Sequence, residues 1–125
     1  MVLERGGIRF GLFGMMGPDS IRWTINPGAL TFPDSIATAR EMVKRLRAEG
    51  ADVIICMSHG GVRGPATGPI TEGDDVNLAR AVPEIDVIVG GHTHTFMRTP
   101  VVVNGTPIVQ AGCYGQASGP WCARI

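Results

Sequence analysis

Apolar and polar positions along the chain fall into short runs separated by glycine- and proline-rich breaks. Ile8 to Met16 alternates at first and then becomes continuously apolar, as a strand does when it enters a core, and Gly17-Pro18-Asp19 interrupts it. Residues 20–33 hold two prolines and no sustained period, which predicts a surface excursion. From Asp34 to Glu49 the period becomes helical. Ile36, Ala39, Val43 and Leu46 share one face, Pro33-Asp34-Ser35 supplies start signals, and Gly50 supplies the stop. On the opposite side Glu41 can meet Lys44 and Arg45, so these charges read as a solvated face.

Asp52 to Met57 is a short apolar run directly after that helix, the signature of a strand buried on both faces of a parallel sheet. It ends in Ser58-His59-Gly60-Gly61. A polar loop runs to about Gly73, and a short helix is predicted from Asp74-Asp75 to Pro83 with Asp74 as N-cap. The pattern recurs in Asp86-Val87-Ile88-Val89, which ends in Gly90-Gly91-His92-Thr93-His94. Val101 to Val109 reads as a hairpin turned at Asn104-Gly105. Residues 111–119 are glycine-rich, and Trp121 to Ile125 reads as the start of a further strand. The alternation predicts an α/β fold with a mixed sheet and flanking helices.

A length of 125 residues suits one domain, and at this size folding buries roughly two-thirds of the unfolded surface. Basic and acidic residues number 11 each, so the net charge is zero, which argues against a nucleic-acid polymer or a charged membrane surface as partner. With 44% hydrophobic and 18% charged residues the chain reads as folded rather than disordered. No apolar run approaches the ~20 residues of a membrane span, and the N-terminal stretch does not read as a secretory signal. Cys56, Cys113 and Cys122 are too few and too scattered for a disulfide framework or a thiolate metal site. Gly-x-Gly-x-x-Gly and phosphate-loop fingerprints are absent.

The chemistry concentrates in the only three histidines, His59, His92 and His94, each just beyond the end of a buried strand. In open α/β sheets ligands bind outside the carboxyl ends of the strands. If the two strands are parallel neighbours, their histidines can converge there. A spacing of two in extended backbone would place His92 and His94 on one side, able to grip a metal. The flanking glycines let backbone approach a ligand closely. Taken singly, each histidine reads as a satisfied core or surface residue; taken together, their shared position favours metal binding, with zinc, manganese, iron and nickel all open. Ser58 does not read as a nucleophile, because neighbours on a strand point opposite ways. Cys56 reads as a small buried hydrophobe. Asp74 and Asp75 could bind metal, but helix capping explains at least one of them.

The stretches ADVIICMSHGG, EGDDVNLARAVPEIDVIVGGHTHTF and PVVVNGTPIVQAG resemble the calcineurin-like metallophosphoesterases, and within them the 5′-nucleotidases and 2′,3′-cyclic phosphodiesterases. The resemblance runs from about Val2 to Gly119. It implies a hydrolase of nucleotide phosphate esters using two divalent metals, zinc, manganese or similar, to activate water. His59 and His92 match ligands of the family's second metal and His94 a ligand of the first. Related members cleave other esters, including sulfur-bearing ones, and the resemblance implies a periplasmic or cell-surface parent. No segment matches the family's upstream Asp-x-His, Gly-Asp-x-x-Asp or Gly-Asn-His motifs, nor its nucleoside-binding C-terminal domain, so no catalytic residue is assigned. Three histidines cannot complete two metal spheres. The expectation is therefore one partial catalytic domain over residues 1–125, about half of a four-layer α/β/β/α sandwich whose N-terminal half is missing. The alternatives are a single-metal three-histidine enzyme and a non-catalytic module that associates with another chain.

Overall fold

The computed structural model describes residues 1–64 and 69–115. The chain opens with a hairpin, β1 (Val2–Arg5) and β2 (Ile8–Met16), joined by Gly6 and Gly7 at φ +61° and +78°. Two consecutive left-handed residues make the tight turn whose twist matches paired strands, and glycine adopts it without a Cβ clash. A five-residue helix, α1 (Pro18–Arg22), follows within the stretch expected to be irregular. Pro18 sits in its first turn, where the missing N–H has no helical partner to lose.

Helix α2 (Ser35–Ala48) begins at Asp34, whose Oδ1 accepts from Ala37 N at 2.7 Å, and Gly50 at φ +83° lies just past its end. Its buried face is Ala39, Val43 and Leu46, as the period predicts. The ion pair on its wet side joins Arg45 to Glu49 at 2.9 Å, one turn later than the Glu41 pairing expected. Strand β3 (Val53–His59) is followed by helix α3 (Asp74–Ala81), then β4 (Val87–Val89), β5 (Val101–Val103) and β6 (Thr106–Val109). The hairpin of β5 and β6 turns at Asn104 and Gly105, at φ +50° and +88°. Residues 121–125, read as a further strand, and Cys122 lie outside the described residues.

The six strands form one sheet in the order β1-β2-β3-β4-β6-β5. β2, β3, β4 and β6 are mutually parallel, and β1 and β5 pair antiparallel at the edges, so the sheet is mixed as expected. Gly11 faces α2: a Cβ there would lie 2.9 Å from Ala51 Cβ and 3.1 Å from Leu46 Cβ. The same face carries Phe13, Ile54, Cys56, Ile88 and Ile108, which form the core with Val76, Ala79 and Val82. The register places Leu12, Ile55 and Val87 in one row of the opposite face, and Met57 and Val89 in the next. Met57 is 50% and Val89 44% exposed, so that face is apolar yet partly open to solvent. No helix among the described residues is long and apolar enough to cross a membrane.

Candidate functional site

Parallel pairing of β2, β3 and β4 brings three loops to one carboxyl edge: Gly17-Pro18-Asp19, Gly60-Gly61 after His59, and Gly90-Gly91-His92. His59 ends β3, and its ring stands edge-on to that of His92, with centroids 5.0 Å apart. His92 Nε2 lies 3.4 Å from Asp19 Oδ2. Asp19 is in turn bridged by the Arg63 guanidinium, and its backbone N–H donates to Asp74 Oδ2 at 2.7 Å. The Arg63 hydrogen bond, more than any other contact, holds the Asp19 carboxyl below its ordinary range, so the carboxylate form is favoured.

His94 sits differently. Its ring packs edge-on against Tyr114, with centroids 5.1 Å apart. The backbone between the two histidines is not extended: His92 and His94 both take left-handed conformations, at φ +74° and +55°. This corrects the expectation that a spacing of two points both rings the same way, because that rule holds only on a pleated strand. Hydrogen bonds fix the turn. With its amide oriented to satisfy both neighbours, buried Gln110 accepts from His94 N at 3.0 Å and Thr95 N at 3.1 Å, and donates to Thr93 Oγ1 at 3.2 Å. Thr93 Oγ1 also accepts from Val62 N at 3.2 Å, tying the two histidine loops together.

Beneath these loops lies the start of α3. Asp74 reads from the sequence as the cap of this helix, but the N-cap is Gly73 at φ +114° and Asp74 is the first helical residue. Its carboxylate instead reaches Asp19 N. Asp75 is fully buried; its Oδ1 accepts from Ser58 Oγ at 2.5 Å, while its Oδ2 has no partner among the described residues. Burial is the chief cause that raises the Asp75 pKa, against the opposing pull of Ser58 and the backbone at Gly61. Ser58 thus points into the core while His59 points out, as the strand alternation requires. Cys56 is fully buried and its thiol is pushed up to about 12, chiefly by desolvation. Cys113 is half-buried.

Among the described residues, no three His, Cys, Asp or Glu side chains already converge on a single ion. Sequence reasoning missed Asp19, Gln110 and the depth of Asp75. The signal for Asp19 was present, since Gly17-Pro18-Asp19 follows a strand that ends on the same edge.

The sequence profile of the calcineurin-like phosphoesterases matches residues 4–96, which include all three histidines. The trifunctional nucleotide phosphoesterase protein YfkN of Bacillus subtilis (strain 168) is 28% identical over 126 residues, covering 90% of this chain and 9% of that protein. The apyrase of Tabanus yao is 36% identical over 101 residues, covering 79% of this chain and 16% of the apyrase. The solved 5′-nucleotidase precursor from Thermus thermophilus superposes with a TM-score of 0.70 at 32% identity, over 90% of this chain and 24% of that one. The chain spans less than a quarter of the length of each of these relatives. With the profile running from the first strand to just past His94, this chain belongs to the calcineurin-like phosphoesterase family.

Proposed function

We propose that the chain contributes part of the active site of a metal-dependent hydrolase of nucleotide phosphate esters, as one portion of a larger catalytic domain. The observation that carries this reading is the His59–His92 pair, 5.0 Å apart on the carboxyl edge of adjacent parallel strands, with the Asp19 carboxylate beside it. Two relatives are named for nucleotide phosphoester chemistry, YfkN and the 5′-nucleotidase precursor. The donor chemistry fits a divalent cation of the zinc or manganese type, for which neutral imidazole is a good ligand. His59 and His92 would hold such an ion and His94 would serve a second. Because no three such side chains among the described residues converge, the remaining ligands would come from elsewhere in the protein. When bound, the metals supply the positive charge that polarises a phosphate ester and makes water a competent nucleophile.

The chain's own residues orient the imidazoles. Asp19 lies against His92 Nε2 and can hold that ring in place, while Arg63 keeps Asp19 ionised. Gln110 holds the His94 turn. The open apolar sheet face supports the partial-domain reading, since a second layer packed there would complete the core. That face also favours the alternative, a module that associates with another chain, and sedimentation of the isolated chain tests it. A periplasmic or cell-surface parent is part of the same proposal, and fractionation of cells tests it.

Zinc or manganese titrated into the chain should show weak binding that His92→Ala reduces at least about tenfold. Phosphate release from nucleoside monophosphates by the chain alone should be negligible. Strong hydrolysis by the isolated chain would overturn the partial-domain reading, and no metal binding at all would overturn the metal reading.

A further inference from the structure

We infer that Asp75 is a positioning residue of the site: its buried carboxyl, wedged beneath the Gly60-Gly61 and Gly90-Gly91 pairs, sets the separation and facing of His59 and His92. The inference rests on the reading of that pair as the working centre. It starts from an expense the fold does not otherwise explain. Asp75 has no exposed surface, and one of its oxygens has no partner among the described residues. A buried, half-satisfied carboxyl is unfavourable, and an apolar side chain of similar volume would fill the space without that penalty.

What the carboxyl touches is specific. Oδ1 accepts from Ser58 Oγ at 2.5 Å, and Ser58 Oγ itself accepts from Gly60 N at 3.1 Å. Asp75 N donates to Gly61 O at 3.0 Å. On the other side, a Cβ at Gly90 would lie 2.5 Å from Oδ2, and one at Gly60 would lie 2.8 Å from Oδ1. The backbone on both sides therefore packs directly on the carboxyl, which only glycine permits. One end of this wedge leads to His59 through Ser58 and Gly60; the other leads to His92 through Gly90 and Gly91. The adjacent Asp74 anchors Asp19, the neighbour of His92, from the same helical turn. The first turn of α3 thus underlies both histidine loops and the Asp19 carboxylate, and Asp75 is the member in contact with both loops.

The test uses the isotopically labelled 125-residue chain without metal. It reads the nuclear Overhauser effect between the His59 and His92 ring protons, the zinc affinity and the Tm. Asp75→Ala should abolish the ring-to-ring effect and weaken zinc binding about tenfold or more, whereas Asp75→Asn, which keeps an acceptor for Ser58, should stay within about threefold of the parent. Leu46→Ala is the control for a purely structural loss: it removes a buried side chain of α2, should lower Tm, and should leave the ring-to-ring effect and the affinity in place. Should Asp75→Ala fail to fold, Ser58→Ala deletes only the hydroxyl bridge and should weaken the ring-to-ring effect in the same sense. A folded Asp75→Ala chain, or a Ser58→Ala chain, with the parent's ring-to-ring effect overturns the inference. If the parent binds no zinc but the ring-to-ring effect responds as described, the positioning role stands and the metal reading alone fails.

Discussion

Gly61 joins the two histidine loops, and replacing it by alanine separates two physical costs. The residue stands at φ +83°, and a Cβ there would sit 2.5 Å from Thr93 Cγ2 and 2.9 Å from Thr93 Oγ1. Holding an L-residue in left-handed backbone costs about 1–2 kcal/mol. The methyl group also pushes Thr93 aside, and losing the 3.2 Å hydrogen bond from Val62 N to Thr93 Oγ1 costs about 1 kcal/mol net. Gly61→Ala should therefore destabilise by about 2–3 kcal/mol, the sum of backbone and contact terms. With an unfolding entropy of about 2.1 cal/mol/K per residue over 125 residues, 1 kcal/mol corresponds to roughly 4 °C, so Tm should fall by about 8–12 °C. Gly105 is the internal control: its φ is +88°, but no atom of the described residues lies within 4 Å of its Cβ position. Gly105→Ala bears the backbone cost alone, about 1–2 kcal/mol or roughly 4–8 °C. Thermal unfolding followed by far-ultraviolet circular dichroism reads both variants. Equal drops in Tm would show that the approach to Thr93 contributes nothing and would sink this account of how the loops are joined.

Two further outcomes follow from buried titratable groups. The Cys56 thiol, pushed up to about 12 by burial, should resist iodoacetamide in the native chain at about pH 8 and react after unfolding, as peptide mass mapping will read. The Asp75 pKa is raised in the folded state above its ordinary value of 3.8, so the folded chain holds that proton more tightly than the unfolded one. Its contribution to stability is fully present below that value and lost as pH rises through the folded value. Denaturant unfolding across this pH range should show the loss in the parent, and Asp75→Asn should flatten it.

The strands and the main helix were legible because each writes its environment into a short window. Asp52–Met57 and Asp86–Val89 stand out as apolar runs, but only one face of them is covered by helices. The other is apolar and partly open, with Met57 and Val89 exposed, which corrects the expectation of burial on both faces. Asn104-Gly105 meets a turn few other dipeptides satisfy. Strand β1 escaped notice because Val2–Arg5 is short and mostly exposed, leaving only Gly6-Gly7 as a signal. Helix α1 was hidden behind Pro18, which reads as a break but is tolerated in a first turn. The histidines were found because they lie at strand ends; the direction of His94 was not, because Gln110, sixteen positions further on, bends the loop through backbone hydrogen bonds. Asp74 and Asp75 look alike in sequence, yet one reaches Asp19 and the other lies sealed beneath the glycine loops. Only the packing of α3 against the sheet separates them.

Adjacent strands in a sheet lie about 4.8 Å apart whatever joins them. β3 and β4 are neighbouring parallel strands, so the ladder brings the loops bearing His59 and His92 side by side, and the first turn of α3, within the residues that connect them, packs beneath both loops. The crossover from β3 to β4 therefore carries, in its own helix, the support for the two loops that it joins.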